Sequence, residues 1–209
     1  MRLPSLFCIL LLSSCSSEIA KQWTKPSYTG SAYSKIVVAA ITDNIEARNE
    51  FESRGARLLN KRSINAIAGM TIFPKHMSEE DKKEESIIKV INDNKVDGAL
   101  TVALIDEKEA MVYSGGSDIT VRSTYGTYGN YIAQQYETVY DPGELVTTKT
   151  YVIEAVFHDL RTDKRKEQSI VWRAQSEQTD PTSLAEAAED FMSKVVYSAL
   201  KNEIIKKSR

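Results

Sequence analysis

Cysteine is nearly absent: the 209 residues hold two, Cys8 and Cys15. No disulfide framework can hold such a chain together. Histidine is equally scarce, with His76 and His158 far apart, so no local pair offers a metal ion its usual ligand spacing. Neither sign of charge dominates. There are 27 Lys and Arg against 29 Asp and Glu, a net charge of −2. With a pI near 5.8, wholesale electrostatic binding to nucleic acid is excluded. No apolar run approaches the ~20 residues that a membrane-spanning helix needs. No repeat or low-complexity stretch is visible. What remains is 42% hydrophobic and 27% charged, the balance of an ordinary folded chain rather than a disordered or collagen-like one. The length suits one domain with a real core.

The N-terminus reads as an address. Arg2 gives a short positive region, and Leu6-Phe7-Cys8-Ile9-Leu10-Leu11-Leu12 is an apolar run of signal-peptide length. Leu12-Ser13-Ser14-Cys15 then resembles the bacterial lipobox, in which the cysteine receives lipid and becomes the new N-terminus. The expected divisions are a signal peptide over 1–14, a tether over 15–33 and a single domain over 34–206. Cys8 leaves with the signal and Cys15 is consumed by lipid, so no thiol remains for catalysis. Acyl chains on Cys15 make the membrane the first expected partner. Ser16 and Ser17 follow, with no Asp next to Cys15. By resemblance to enterobacterial sorting, this points to the outer membrane, facing the periplasm.

The body reads as α/β (α+β). Residues 16–34 carry Trp23, Tyr28 and Tyr33 without a period, a tether that docks its aromatics on the domain. The run 35–41 is apolar and β-branched, as in a strand buried on both faces. Thr42-Asp43-Asn44 can cap a helix, in which Phe51, Gly55, Leu58, Leu59 and Arg62 share a face and Arg48 and Glu52 can pair on the surface. A weaker strand over 63–68 closes at Phe73-Pro74. Ser78 with the acids behind it predicts a helix start, with Ile87, Ile88 and Ile91 as its buried stripe. Asp97-Gly98 turns into a third strand over 99–105. Residues 109–143 are rich in Tyr and Gly. The strand-like stretch 144–159, the charged turn 161–166 and the return over 168–176 predict an antiparallel hairpin. Asp180-Pro181 opens a last helix that buries Leu184, Ala188, Phe191, Val195 and Ala199, with Lys206, Lys207 and Arg209 at its end. The expected architecture is one mixed sheet of about five strands in the order β-α-β-α-β-β-β-α, with helices packed on the sheet and a Tyr/Gly-rich insertion before the C-terminal hairpin.

These features resemble a group of uncharacterised bacterial lipoproteins. The residues that carry the resemblance are the aliphatic first strand, Arg48 with Phe51-Glu52, Phe73-Pro74, Val96-Asp97-Gly98-Ala99-Leu100 and Leu104-Ile105-Asp106-Glu107-Lys108. Further on they are the Tyr-rich stretch to Tyr140-Asp141-Pro142-Gly143 and Ala174-Gln175-Ser176. The resemblance covers most of residues 33–206 and implies no established activity. In topology alone, the order of elements resembles the periplasmic α/β domain of curli-secretion lipoproteins and the amino-terminal domain of the Tol-system propeller protein. Fold analogy does not carry function.

Chemistry is sparse. No G-x-S-x-G elbow accompanies the histidines. The Gly115-Gly116 and Gly126/Gly129 stretches lack the strand-loop-helix order of a phosphate loop. The basic turn 161–166 is diluted by Asp159 and Asp163 and reads as solvated. Asp106, Glu107 and Glu109 follow the third strand, and Asp43 follows the first. Together they form a candidate acidic site at the edge where open parallel sheets bind ligands, with a solvated strand end as the plainer alternative. Tyr125, Tyr128, Tyr131, Tyr136 and Tyr140 place five phenol rings in sixteen positions, a candidate surface for sugar rings or a protein partner. Rings packed on their own sheet are the alternative. The expected function is a non-enzymatic envelope lipoprotein, without cofactor, that binds a partner protein or envelope polymer through those tyrosines. The alternatives are binding of a small ligand or glycan, and hydrolysis through Asp106 or Glu107.

Overall fold

In the computed structural model, the described residues are 19–114, 144–161 and 169–207. The elements are β1 (Lys21–Thr24), β2 (Ser31–Ala32), β3 (Ile36–Ala40), α1 (Ile45–Asn60), β4 (Ala66–Ala68), a single 3-10 turn (Gly69–Thr71), α2 (Glu84–Asp93), β5 (Gly98–Ser114), β6 (Glu144–Asp159), β7 (Ile170–Thr179), α3 (Leu184–Lys201) and β8 (Ile205–Lys206). The main sheet has six strands in the order β1-β7-β6-β5-β3-β4, and β2 pairs with β8 in a small second sheet. β3 runs parallel to β4 and β5, whereas β5, β6, β7 and β1 are antiparallel neighbours. The mixed α/β class is therefore as the sequence indicates, with six strands instead of five.

The added strand is β1, inside the stretch read as tether. Lys-Gln-Trp-Thr has no alternating apolar pattern and is mostly exposed, Trp23 included. What holds it is backbone pairing, Lys21 to Thr24 opposite Gln175 to Trp172, which leaves no hydropathy signal. Behind it, Tyr33 packs edge-on against Phe157 at 5.0 Å with the Arg161 guanidinium 4.6 Å from its ring centre. The hydroxyls of Tyr28 and Tyr33 hydrogen-bond each other, and burial pushes both phenols above their usual range, so both stay protonated.

β3 is buried along nearly its whole length because α1 and α3 cover one face and the 66–73 and 91–99 segments the other. α1 starts where Asn44 Oδ1 accepts the Ala47 N–H at 3.0 Å. Gly55 lets α1 approach closely: a Cβ there would stand 2.6 Å from Met192 Cε and 2.8 Å from Val38 Cγ1. Phe51 meets Phe191 edge-on across the two helices at 6.0 Å. Phe191, Trp172 and Phe157 are fully buried, each worth about 1.5–3 kcal/mol of removal from water.

Several local expectations change. The Arg48–Glu52 pair is buried, not on the surface, with Glu52 entirely out of water. Glu52 accepts from Arg48 Nε at 3.0 Å, from the Ala40 N–H at 3.1 Å and from the Met70 N–H. Arg48 Nη1 donates onward to the Pro74 carbonyl at 2.7 Å. One ion pair thus joins the end of β3, α1, the 3-10 turn and the following loop. Ser78 and Asp81 form a local turn, and α2 starts only at Glu84. Ile87 and Ile88 are exposed rather than a buried stripe, and Ile91 alone of the three packs on the smaller core cluster. α3 begins one turn later than expected: Ser183, not Asp180, caps it, accepting the Glu186 N–H at 3.1 Å. Lys206 lies past α3 in β8, beside the buried Ile204 and Ile205.

Candidate functional site

Cys15 and the five tyrosines Tyr125, Tyr128, Tyr131, Tyr136 and Tyr140 lie outside the described residues, as does the turn 162–166. Asp43 is exposed in the loop between β3 and α1. The other acids lie on β5, where a bulge decides their placement. Up to Leu104 the pairing with β6 is regular, and the register shifts between Leu104 and Asp106. Side chains alternate along a strand, so one extra residue at Ile105 reverses which of them face the helices. Glu107 and Glu109 consequently join Lys149 on the helix-bearing face, with Lys149 Nζ 3.5 Å and 2.7 Å from their carboxylates. Asp106 points to the opposite face, beside a shallow hollow of about 190 Å³ with Lys108 and Glu177, which pair at 3.1 Å. The acids adjacent in sequence are thus divided between two faces and exposed. The bulge does not bring Asp106 and Glu107 together in one pocket among the described residues. Among the described residues, no group of three His, Cys, Asp or Glu side chains is placed to hold a metal ion. His158 is engaged instead, with Thr101 Oγ1 at 3.4 Å and Ser169 Oγ at 3.2 Å.

A larger cavity, about 670 Å³, opens on the helix-bearing face. It lies past the C-terminal end of β3, between the first turns of α1 and α3, over β5, β6 and the end of β7. The reason is topological. β3 ends at Ala40, opposite Val102, while its parallel neighbour β5 runs on to Ser114, and an open sheet leaves a crevice beyond the C-terminal end of such a strand. Apolar side chains dominate the wall: Phe51, Val102, Leu104, Tyr151, Ile153 and Leu184. Ile41 and Leu104 are left 64% and 55% exposed there, which is costly for large aliphatics unless something covers them.

The polar groups of the wall are mostly committed to each other. Thr42 Oγ1 accepts the Asn44 N–H at 3.1 Å, and Asn44 Oδ1 caps α1. Asp180 Oδ1 accepts the Lys149 N–H at 2.7 Å, while the Asp180 N–H donates to the Lys149 carbonyl at 2.9 Å. Asp180 adopts a φ of 44°, in the left-handed region that Asp tolerates better than most residues, and this bends the chain from β7 toward α3. Hydrogen bonding to Glu109, and less to Glu107, holds the Lys149 ammonium protonated to higher pH than usual. Gln178 is the exception. The residue is only 6% exposed, and Nε2 donates to the Ala187 carbonyl at 3.0 Å and to Asp190 at 3.2 Å. Those donations fix the amide's orientation, and Oε1 has no protein hydrogen-bond partner among the described residues. A buried acceptor ordinarily has a donor. The sequence reading missed Gln178 because Gln175-Ser176-Glu177-Gln178 looks like a solvated strand end. The alternation with buried Ala174 and Ser176 was the available signal.

No protein family and no curated protein matches this chain. Among solved structures, a PelC dodecamer from Paraburkholderia phytofirmans is similar at 16% identity, over 90% of this chain and 97% of that one, with a TM-score of 0.45. Lipoprotein GNA1162 from Neisseria meningitidis is similar at 12% identity, over 80% of this chain and 98% of that one, with a TM-score of 0.40. Among the described residues, no helix is long and apolar enough to cross a membrane.

Proposed function

We propose that this protein is a lipid-anchored, non-enzymatic binding module of the bacterial cell envelope that holds a small, largely apolar ligand in the cavity between α1 and α3. The observation that carries the reading is the cavity itself, about 670 Å³ and within the usual size of ligand sites. Its position past the C-terminal end of the parallel strand β3 is where such folds bind ligands. The internal pairing of its polar groups favours binding over chemistry, because general acid or base work needs a titratable group free to meet substrate. The anchor rests on Leu12-Ser13-Ser14-Cys15. Placement at the outer membrane rests on the residues after Cys15.

Two measurements test this. Mass spectrometry of the membrane fraction should find a chain that begins at an acylated Cys15. The uncharged dye Nile red should bind the purified protein saturably, and Ala47→Phe, which projects a ring into the cavity from α1, should abolish that binding while leaving the fold intact by circular dichroism. Unsaturable binding, or equal binding by the variant, removes the cavity from consideration.

A second reading has its own support. Ser114 and Glu144 face each other at the far end of the β5–β6 pairing. The two ends of the Tyr-rich segment are thereby delivered together at the tip of a ribbon, a place suited to presenting Tyr125, Tyr128, Tyr131, Tyr136 and Tyr140 to a partner protein or envelope glycan. Crosslinking in cells should capture a partner that the paired change Tyr128→Ala and Tyr131→Ala loses; an unchanged capture pattern refutes this role.

A further inference from the structure

Two features of the fold meet at one end of the sheet. β1 is antiparallel to β7, with Lys21 opposite Gln175 and Thr24 opposite Trp172. Followed back from Thr24 to Lys21, the chain therefore runs the way β7 does, toward Gln178 and Asp180. Cys15 is six residues beyond Lys21, a reach of at most about 22 Å. β3, β5 and β7 share that direction, because β5 is parallel to β3 and β6 is antiparallel to both β5 and β7. The cavity opens past the C-terminal end of β3, with Asp180 on its wall. It lies over β6 and the end of β7, which stand about 5–10 Å sideways from β1. The mouth and the lipid-bearing segment thus belong to the same end, and the β5–β6 ribbon runs on past the mouth on one side.

The wall is graded. Ile41 and Leu104 are exposed at the mouth, Tyr151 and Leu184 are half-buried, and Phe51, Val102 and Ile153 are buried. Two large aliphatics left in water at a mouth that faces a bilayer have an apolar cover at hand. The ionised wall groups, Lys149 and Asp180, are both exposed, with Glu107 and Glu109 beside Lys149. Both signs of charge are therefore present at the rim, where a polar head can stay hydrated while its chain goes in.

We infer that the cavity takes one acyl chain of a phospholipid directly from the bilayer that holds Cys15, the head remaining at the rim near Lys149 and Asp180. This deepens the cavity reading and rests on it and on the anchor. An acyl chain gains little by leaving lipid for an apolar wall, since lipid tails are as apolar as leucine. What favours entry is the removal of the wall itself from water and the high local concentration of lipid that the anchor maintains at the mouth.

The test uses the acylated protein in vesicles of phosphatidylethanolamine and phosphatidylglycerol, with a trace of phosphatidylethanolamine that carries a diazirine on one acyl chain. Irradiation and peptide mass spectrometry should find lipid adducts on Tyr151, Leu184, Phe51 or Ile153. Ala47→Phe should lose those adducts at least severalfold and keep the ones on Ile41 and Leu104. Adducts confined to Ile41 and Leu104 in the native protein show a body that rests on the bilayer without admitting a chain, and overturn the inference. An unlabelled wall in a protein that still binds Nile red overturns it too, and leaves the cavity reading standing. If the dye does not bind, the cavity reading fails; if the protein does not float with the vesicles, the anchor fails, and in either case the inference falls with it.

Discussion

Glu52 accepts the Nε–H of Arg48 at 3.0 Å, one helical turn away, with both side chains out of water. Its two oxygens also receive the N–H groups of Ala40 and Met70, so this carboxylate ends β3 and holds the 3-10 turn at once. Removing one partner strands the other charge. Glu52→Ala should therefore cost about 3–5 kcal/mol in urea unfolding. Arg48→Met with Glu52→Leu together should cost much less than the sum of the single changes, and additive costs would show that the pair is not coupled.

Gly55 tests the closeness of α1 to its neighbours. The methyl group of Gly55→Ala falls 2.6 Å from Met192 Cε and 2.8 Å from Val38 Cγ1. Overpacking of this kind should cost about 1–3 kcal/mol despite the better helix propensity of alanine. Met192→Ala alone should cost about 2–5 kcal/mol by leaving a cavity. In the double variant the new methyl enters the vacated space, so its unfolding midpoint should lie above the additive value.

Acid should loosen the contact between α1 and α3. Hydrogen bonds from Arg54, helped by Arg57, hold the Glu189 carboxyl below its ordinary value of 4.5. A carboxylate with a depressed value in the folded state stabilises the fold above the unfolded value, and that contribution disappears as pH falls through the folded one. Comparing urea midpoints of the native protein and Glu189→Gln between pH 6 and pH 3 should show a difference at pH 6 that shrinks below about 4.5. A difference that stays constant across this range rules the linkage out.

The start of α1 depends on one side chain. Asn44→Ala removes the acceptor of the Ala47 N–H and should lower stability by about 1 kcal/mol, whereas Asn44→Asp should keep most of it. Equal losses in thermal unfolding would mean that the cap contributes by backbone geometry alone.

The elements that bury a regular apolar pattern were legible in the sequence. The runs 36–40 and 99–105, the hairpin strands and the Leu184–Ala199 face all appear where the spacing indicates. What escaped depends on the third dimension. A four-residue spacing pairs Arg48 with Glu52 but cannot say that Gly69 and Pro74 will fold over them. A bulge at Ile105 has no hydropathy signature, yet it separates Asp106 from Glu107. The cavity gathers residues from position 40 to 187, so no local window contains it. The alternation with Ala174 and Ser176 signals the buried face for Gln178, but its place at the wall comes from α3, which lies after it in the chain.

Among the described residues, the first backbone bond to the sheet, from the Ala20 N–H to the Gln175 carbonyl, comes five residues after Cys15. Fully stretched, that leash spans at most about 18 Å. With Cys15 acylated as proposed, the folded body rides close to the bilayer surface and its encounters are confined to a thin layer above the lipid. A partner outside that layer would have to come to it.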